Sequence, residues 1–344
     1  MTTTTGPTAP VLTARGLSKR YGEVWALRDC SLDLPAGRVI GLVGPNGAGK
    51  TTLLHLSLGL LEPTAGEIRV LGYAPRRQER EVLAHVGFVA QQRPLYKHFT
   101  VEQHLQLGAR LNARWDDTRA RERLRRYAIP FDRKIRTLSG GQQAQVSLAL
   151  ALGKRPELLL LDEPLAELDP LARQEFLRTL LVAATEEGIT VLFSSHVVAE
   201  LERFCDYLII LLDGRVRVAG DVDELLAAHQ RLTSATAPGT AGHTGAIGDL
   251  GSQTTGDETL AREAGVVAVT RDRHQTTMVV RREAALPRIG WEVGAITLEE
   301  LVLTYMANPS QSLILPPPTS MVAGGERANA GSVGIAEKRE ERVP

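Results

Sequence analysis

The chain has 344 residues, 43% of them hydrophobic, and its 40 Lys and Arg balance 40 Asp and Glu. That length holds one large α/β domain plus a smaller unit, and balanced charge leaves no global field to draw in nucleic acid. Cys30 and Cys205 stand far apart without metal-ligand spacing, and no run of eighteen apolar residues occurs, which argues against a disulfide scaffold, a zinc module and a self-spanning membrane protein.

Residues 1–10 are threonine-rich, with neither a basic n-region nor an apolar h-region; they are expected to form a disordered arm, not a secretory signal. Val11 to Tyr21 reads as a strand and turn. Cys30, Leu32 and Leu34 alternate with polar residues up to Pro35-Ala36-Gly37, the pattern of a half-buried strand. Val39-Ile40-Gly41-Leu42-Val43 is a short apolar run of the kind that forms buried parallel strands. It leads into Gly44-Pro45-Asn46-Gly47-Ala48-Gly49-Lys50-Thr51, which fits the phosphate-binding pattern G-x-x-x-x-G-K-S/T, and Thr52 to Leu56 then reads as a helix. Glycines let such a loop turn its N–H groups inward around a polyphosphate, and the helix N-terminus adds partial positive charge. Lys50 would neutralise the β- and γ-phosphates, and the Thr51 hydroxyl would reach Mg²⁺.

Glu67 to Leu71 and Val86 to Ala90 are further strand candidates, the second running into Gln91-Gln92. Val101 to about Ile129 has a helical pattern rich in arginine (Arg119, Arg121, Arg123, Arg125, Arg126). A solvated helix face is the favoured reading, with a docking surface for a partner or anionic lipid as the alternative. Leu138-Ser139-Gly140-Gly141-Gln142 precedes an apolar helix, and Leu158 to Leu161 is a continuous apolar run ending in Asp162-Glu163-Pro164. Such a run is a buried strand delivering two carboxylates at its C-terminal edge. A helix is expected over Pro170 to Thr185, a strand over Ile189 to Phe193 ending at Ser194-Ser195-His196, and a hairpin turning at Asp213-Gly214.

Five features therefore occur in one order: the phosphate loop, a glutamine after a strand, Leu138 to Gln142, apolar-Asp162-Glu163, and a strand ending in His196. This arrangement resembles the nucleotide-binding subunit of ATP-binding cassette (ABC) transporters over roughly Val11 to Leu226. The resemblance implies an α/β fold: a P-loop ABC-type ATPase with a β core, a helical subdomain and a small C-terminal α+β appendage. The expected division is a disordered arm at 1–10, the ATPase domain at 11–230 (helical subdomain about 92–152), a Thr/Gly-rich flexible linker at 231–257, an accessory domain at 258–309 and a disordered tail at 310–344. In the accessory unit, strands are expected over Val266 to Thr270 and Thr276 to Arg281. A capping box at Thr297 to Glu300 starts a helix whose Leu298, Leu301, Val302 and Tyr305 would form that unit's own core.

The resemblance also implies roles. Gly44, Pro45, Asn46, Gly47, Ala48, Gly49, Lys50, Thr51 and Thr52 would bind ATP, with Tyr21 stacking on adenine. Thr51, Gln91 and Asp162 would hold Mg²⁺, which takes few carboxylates and keeps its waters. Glu163 would be the general base toward the attacking water, with Gln91 sensing metal and water and His196 touching the γ-phosphate. Ser139, Gly140, Gly141 and Gln142 would bind ATP held by a second copy, and Asp169 would lie in the loop facing that copy, giving a head-to-tail dimer with two ATP molecules. One departure is that Gln142 is followed by Gln143-Ala144-Gln145 where basic residues are usual.

Gly59 to Gly66 and Leu298 to Leu301 are similar to bacterial ABC-2-type export ATPases, including drug and antibiotic exporters. The expected activity is Mg-dependent ATP hydrolysis powering export through a separate transmembrane permease, on the cytoplasmic side of the membrane. Its competitors are a soluble cassette ATPase acting on ribosomes or DNA, and a nucleotide-binding regulatory module without turnover. Relatives of the first kind usually carry two cassettes or coiled-coil or zinc-bearing inserts, features this sequence lacks; the second is disfavoured by the complete set of reacting residues.

Overall fold

The computed structural model describes residues 9–198, 201–202, 204–235, 265–271, 275–283 and 291–316. Strands β1 (Leu12–Tyr21), β2 (Val24–Leu34) and β4 (Ala65–Val70) form an antiparallel sheet in the order β2-β1-β4. Its inward side chains, among them Leu12, Leu17, Leu27 and Leu34, pack on one face of a larger central sheet.

The central sheet has seven strands in the order β14-β9-β8-β3-β7-β6-β5. β3 (Val39–Val43), β7 (Thr190–Ser195), β6 (Leu158–Asp162), β5 (Val86–Val89) and β8 (Tyr207–Leu212) run parallel, and β9 (Arg215–Asp221) returns antiparallel to β8. Every residue of β3, β6, β7 and β8 is buried, which explains the apolar runs Val39–Val43, Leu158–Leu161, Val191–Phe193 and Tyr207–Leu212. Burying one Leu, Ile or Val side chain contributes about 1.5–3 kcal/mol, so this layer is the main source of cohesion. The β8–β9 turn uses Asp213 (φ 49°) and Gly214 (φ 68°), both left-handed as a tight hairpin requires.

Helices α1 (Lys50–Ser57) and α2 (Glu79–His85) lie on the side of the antiparallel sheet, whereas α5 (Gly140–Gly153) and α6 (Pro170–Glu187) cover the other face. The pattern over 101–129 resolves into two helices, α3 (Val101–Leu111) and α4 (Asp117–Arg126), because Asn112 ends the first and the Asp116 carboxylate caps the second. Together with α5 they enclose a separate apolar cluster around Leu105, Leu124, Ile135 and Val146, the helical layer. Its arginines are largely spent within the chain. Arg119 and Arg123 pair with Glu187 at the end of α6, and Arg121 pairs with Glu102 and Asp117, its hydrogen bonds holding the Glu102 carboxyl down at about 2. Cys30 and Cys205 are both free and buried.

Three expectations about the C-terminal part need correction. Residues 231–235, expected to begin the linker, belong to β10 (His229–Ala235), which pairs antiparallel with β12 (Gln275–Arg281) and β13 (Glu292–Gly294). With β11 (Val266–Arg271) these form a four-stranded sheet, β11-β12-β10-β13; the rest of the expected linker lies outside the described residues. Second, the tail does not begin at 310. Leu313–Ile314 form β14, a parallel edge strand on β9, and the Leu315 N–H donates to the Ala219 carbonyl at 2.7 Å. Third, the apolar face of α8 (Leu298–Ala307) is not the private core of an accessory unit. Leu298, Leu301, Val302 and Tyr305 are all buried in the same cluster as Leu208, Ile210 and Leu225 as well as Val267 and Val279, and α8 packs on β8 and on α7 (Val222–Ala227) as well as on β11. The expected capping box of α8 is present, Thr297 and Glu300 exchanging backbone hydrogen bonds.

His229 joins these parts. It is fully buried, its Nδ1 donates to the Leu225 carbonyl at 2.6 Å, and its Nε2 accepts from the Tyr305 hydroxyl at 2.9 Å. Burial pushes this imidazole below its usual pKa, and the charge of Arg281 adds to the effect.

Candidate functional site

All of the predicted reacting groups sit where parallel strands end. The phosphate loop follows β3, Asp162 closes β6 with Glu163 just beyond it, His196 follows β7, and Gln91 lies just after β5. In open α/β sheets ligands bind in the crevice at these carboxyl ends, and here β3, β7 and β6 are consecutive neighbours.

The loop is shaped by two glycines that tolerate no side chain. A Cβ on Gly44 would lie 2.2 Å from the Leu211 carbonyl oxygen; on Gly49, already at φ 106°, it would lie 2.3 Å from the Ala26 oxygen. Gly49 is the N-cap of α1, so Lys50 and Thr51 open a helix whose free N–H groups face the loop. Lys50 is 5% exposed; its Nζ donates to the carbonyls of Gly44 (2.8 Å) and Pro45 (3.2 Å) and pairs with Glu163 Oε1 at 3.2 Å. The second Glu163 oxygen contacts His196 Nδ1 at 3.1 Å. Asn46, Gly47, Gly49, Lys50, Thr51, Thr52, Gln91, Glu163 and His196 line one cavity of about 570 Å³, with Ala26 and Ala166 on its wall.

Behind the cavity, Asp162 is buried and accepts from Ser194 Oγ at 2.9 Å, while the Glu163 N–H donates to the same Oγ at 2.9 Å. Sequence reasoning missed this use of Ser194, although the parallel register sets Asp162 directly beside it. Ser194→Ala strands a buried carboxylate oxygen and a backbone N–H, so unfolding stability is expected to fall by about 1–3 kcal/mol, measured by urea titration. A change within experimental scatter would remove Ser194 from the support of the site.

Ser139, Gly140, Gly141, Gln142 and Asp169 do not line this cavity, and neither does Tyr21, which is 48% exposed at the end of β1. Ser139 caps α5 and Gln142 completes its capping box, accepting from the Ser139 N–H at 3.1 Å. The Gln142 amide is thus used inside its own helix, a function signalled by the Ser-x-x-Gln spacing itself. A Cβ on Gly141 would lie 2.6 Å from the Ala172 Cβ, so this glycine lets α5 approach α6; a Cβ on Gly140 would meet the Glu167 carbonyl oxygen at 3.9 Å, an ordinary contact. Asp169 caps α6 through the N–H groups of Leu171 and Ala172. Gln145, where a basic residue is usual, is buried with its Nε2 unbonded.

The ABC transporter family model matches residues 27–166. The Nod factor export ATP-binding protein I of Rhizobium johnstonii is 38% identical over 226 residues, covering 62% of this chain and 71% of that protein. The chain belongs to the ABC transporter ATP-binding family. Among solved structures, cbiO1 of Clostridium perfringens, described as part of the ABC transporter complex cbiONQ, aligns with TM-score 0.57 at 28% identity, over 64% of this chain and 92% of that one. A dimeric post-hydrolysis state of the cassette MJ0796 bound to ADP and Pi aligns with TM-score 0.54 at 28% identity, over 60% and 96%. The protein is accordingly an ATP-binding and ATP-hydrolysing ABC subunit, and its α/β cassette fold is that of the family.

Proposed function

We propose that this subunit powers export through a separate membrane-spanning permease, and that two copies close head to tail over two ATP molecules. The observation that carries the catalytic part is the convergence of Lys50, Glu163 and His196 in the one cavity that also holds the phosphate loop. In this reading Lys50 and the loop N–H groups hold the β- and γ-phosphates. Glu163 takes a proton from the attacking water as His196 and Gln91 position the γ-phosphate and that water. Thr51, Gln91 and Asp162 offer a hydroxyl, an amide and a carboxylate, an all-oxygen set that fits Mg²⁺. When bound, that ion would neutralise charge on the phosphates. Tyr21, exposed at the end of β1, is assigned to adenine stacking.

Ser139 and Gly140 are exposed at the N-terminus of α5 and line no part of their own chain's nucleotide cavity, which supports their assignment to the ATP of a second copy.

The permease is assigned to an apolar groove of about 480 Å³ between the helical layer and β5, lined by Leu60, Leu83, Phe88, Leu95, Tyr96, Leu107 and Leu111. Leu60, Tyr96 and Leu111 are more than half exposed, a patch that water alone would not favour. Among the described residues no helix is long and apolar enough to cross a membrane, so a second chain would supply the passage and hold this subunit on the cytoplasmic face. Export as the direction follows the Nod factor relative.

Ser139→Arg provides the test. It leaves the phosphate loop untouched while blocking the face offered to the second copy. ATP binding by the monomer is expected to stay within about 2-fold, whereas ATP-dependent dimerisation and turnover fall at least about 10-fold. Light scattering and a fluorescent ATP analogue read the two quantities. Full dimerisation by Ser139→Arg would sink the head-to-tail arrangement.

A further inference from the structure

Glu163 adopts φ 44°, in the left-handed region that a non-glycine residue occupies only where its surroundings over-determine it. On the strand side, the Ser194 hydroxyl holds the Glu163 N–H. On the other side the backbone turns sharply, the Ala166 N–H donating to the Glu163 carbonyl at 3.1 Å. The loop's own residues there are Pro164, which has no N–H, and Leu165 and Ala166, which have no polar side-chain atoms. Its fixing comes from 71 and 73 residues away: Arg93 Nη2 donates to the Pro164 carbonyl at 3.1 Å and to the Ala166 carbonyl at 2.7 Å. Arg93 is itself held at φ 44°, two residues after Gln91.

We propose that Arg93 is a positioning residue for hydrolysis: its guanidinium closes the strained 163–166 turn and so aims the Glu163 carboxylate into the cleft. Arg93 lines no part of the nucleotide cavity and touches no reacting group; it borders the apolar groove beside β5 and reaches the catalytic turn through two carbonyl oxygens. Without this clamp the turn relaxes toward ordinary φ, and the carboxylate leaves the position held between Lys50 and His196. A displacement of about 1 Å at a reacting group costs up to roughly 100-fold in rate, whereas the phosphate loop, on a different strand, keeps its grip on nucleotide. The inference rests on the reading of Glu163 as general base.

Arg93→Met keeps an unbranched stem as far as the guanidinium's first nitrogen and removes the donors. On the full chain at saturating ATP, kcat is expected to fall about 10- to 100-fold, with the affinity for a fluorescent ATP analogue within about 2-fold of wild type. Arg93→Lys tests the mechanism separately. Both carbonyls accept from the same guanidinium nitrogen, so one ammonium can serve both, and Lys is expected to recover most of the lost kcat. A merely structural arginine would lower affinity, solubility and kcat together, with no recovery by Lys; that outcome overturns the proposal, as does a kcat for Arg93→Met within 2-fold of wild type. Should Arg93→Met aggregate, Arg93→Lys against Arg93→Gln decides on the same criterion. Glu163→Gln runs alongside: if it turns over like wild type, the general-base reading fails; if it is inactive while Arg93→Met is normal, only the clamp fails.

Discussion

Glu163→Gln is expected to lower ATP turnover by about 10²–10⁴-fold, the usual worth of a positioned general base. The exchange keeps size and shape but removes the charge and the ability to take a proton. Two consequences separate this from loss of folding. First, the Lys50–Glu163 pair at 3.2 Å is replaced by a neutral contact, so Lys50 meets the phosphates without a competing carboxylate, and ATP affinity is expected to hold or rise. Second, with hydrolysis stalled and the phosphate grip intact, the ATP-bound dimer is expected to accumulate. Single-turnover quench assays and size measurement with and without ATP read both. Near-normal turnover would show that another group takes the proton, and His196, 3.1 Å from the same carboxylate, would be examined first.

The largest expected effect on stability lies far from the nucleotide. Tyr305→Ala is expected to cost the whole cassette about 3–5 kcal/mol, the range for deleting a buried aromatic ring. Tyr305 is fully buried, packs edge-on against His229 at 5.7 Å between ring centroids, and donates its hydroxyl to His229 Nε2. Tyr305→Phe keeps the ring and takes the hydroxyl away from that nitrogen and from Arg281, so a smaller loss of about 1–3 kcal/mol is expected. Guanidinium titrations of wild type, Phe and Ala variants make the comparison. A cassette transition unmoved by Tyr305→Ala would mean that α8 is an independent unit after all.

These two residues mark what was legible in the sequence and what was not. The phosphate loop, Asp162-Glu163 and His196 could be read directly because their chemistry needs fixed residue types beside a strand end, and strand ends show in short apolar runs. The destination of α8 could not be read. Amphipathic spacing identifies which face is buried but not what covers it, and the cover includes β8 and α7, some 70–100 residues earlier, besides the nearby β11. Residues 231–235 look like linker because Leu232 is the one large apolar residue among them; their place is fixed by ladder bonds on both sides. Leu313–Ile314 are too few to show any period. Ser194 and Arg93 were missed for a shared reason: each works through a partner brought close only by the tertiary fold.

The order in which the chain is made now matters. Leu208, Ile210 and Leu225 belong to the cassette's main cluster, yet the helix that covers them comes only at Leu298–Ala307 and the last sheet strand at Leu313–Ile314. At a synthesis rate of about 5–20 residues per second, the distance from Ala228 to Ile314 takes roughly 4–17 s. Throughout that interval a nascent cassette with every nucleotide-binding motif already translated carries an uncovered apolar face and an open sheet edge at β9. Such surfaces are what chaperones hold and what neighbouring nascent chains pair with. The stretch Leu298–Ile314, none of which lines the nucleotide cavity, therefore decides when the ATPase becomes a safe folded object.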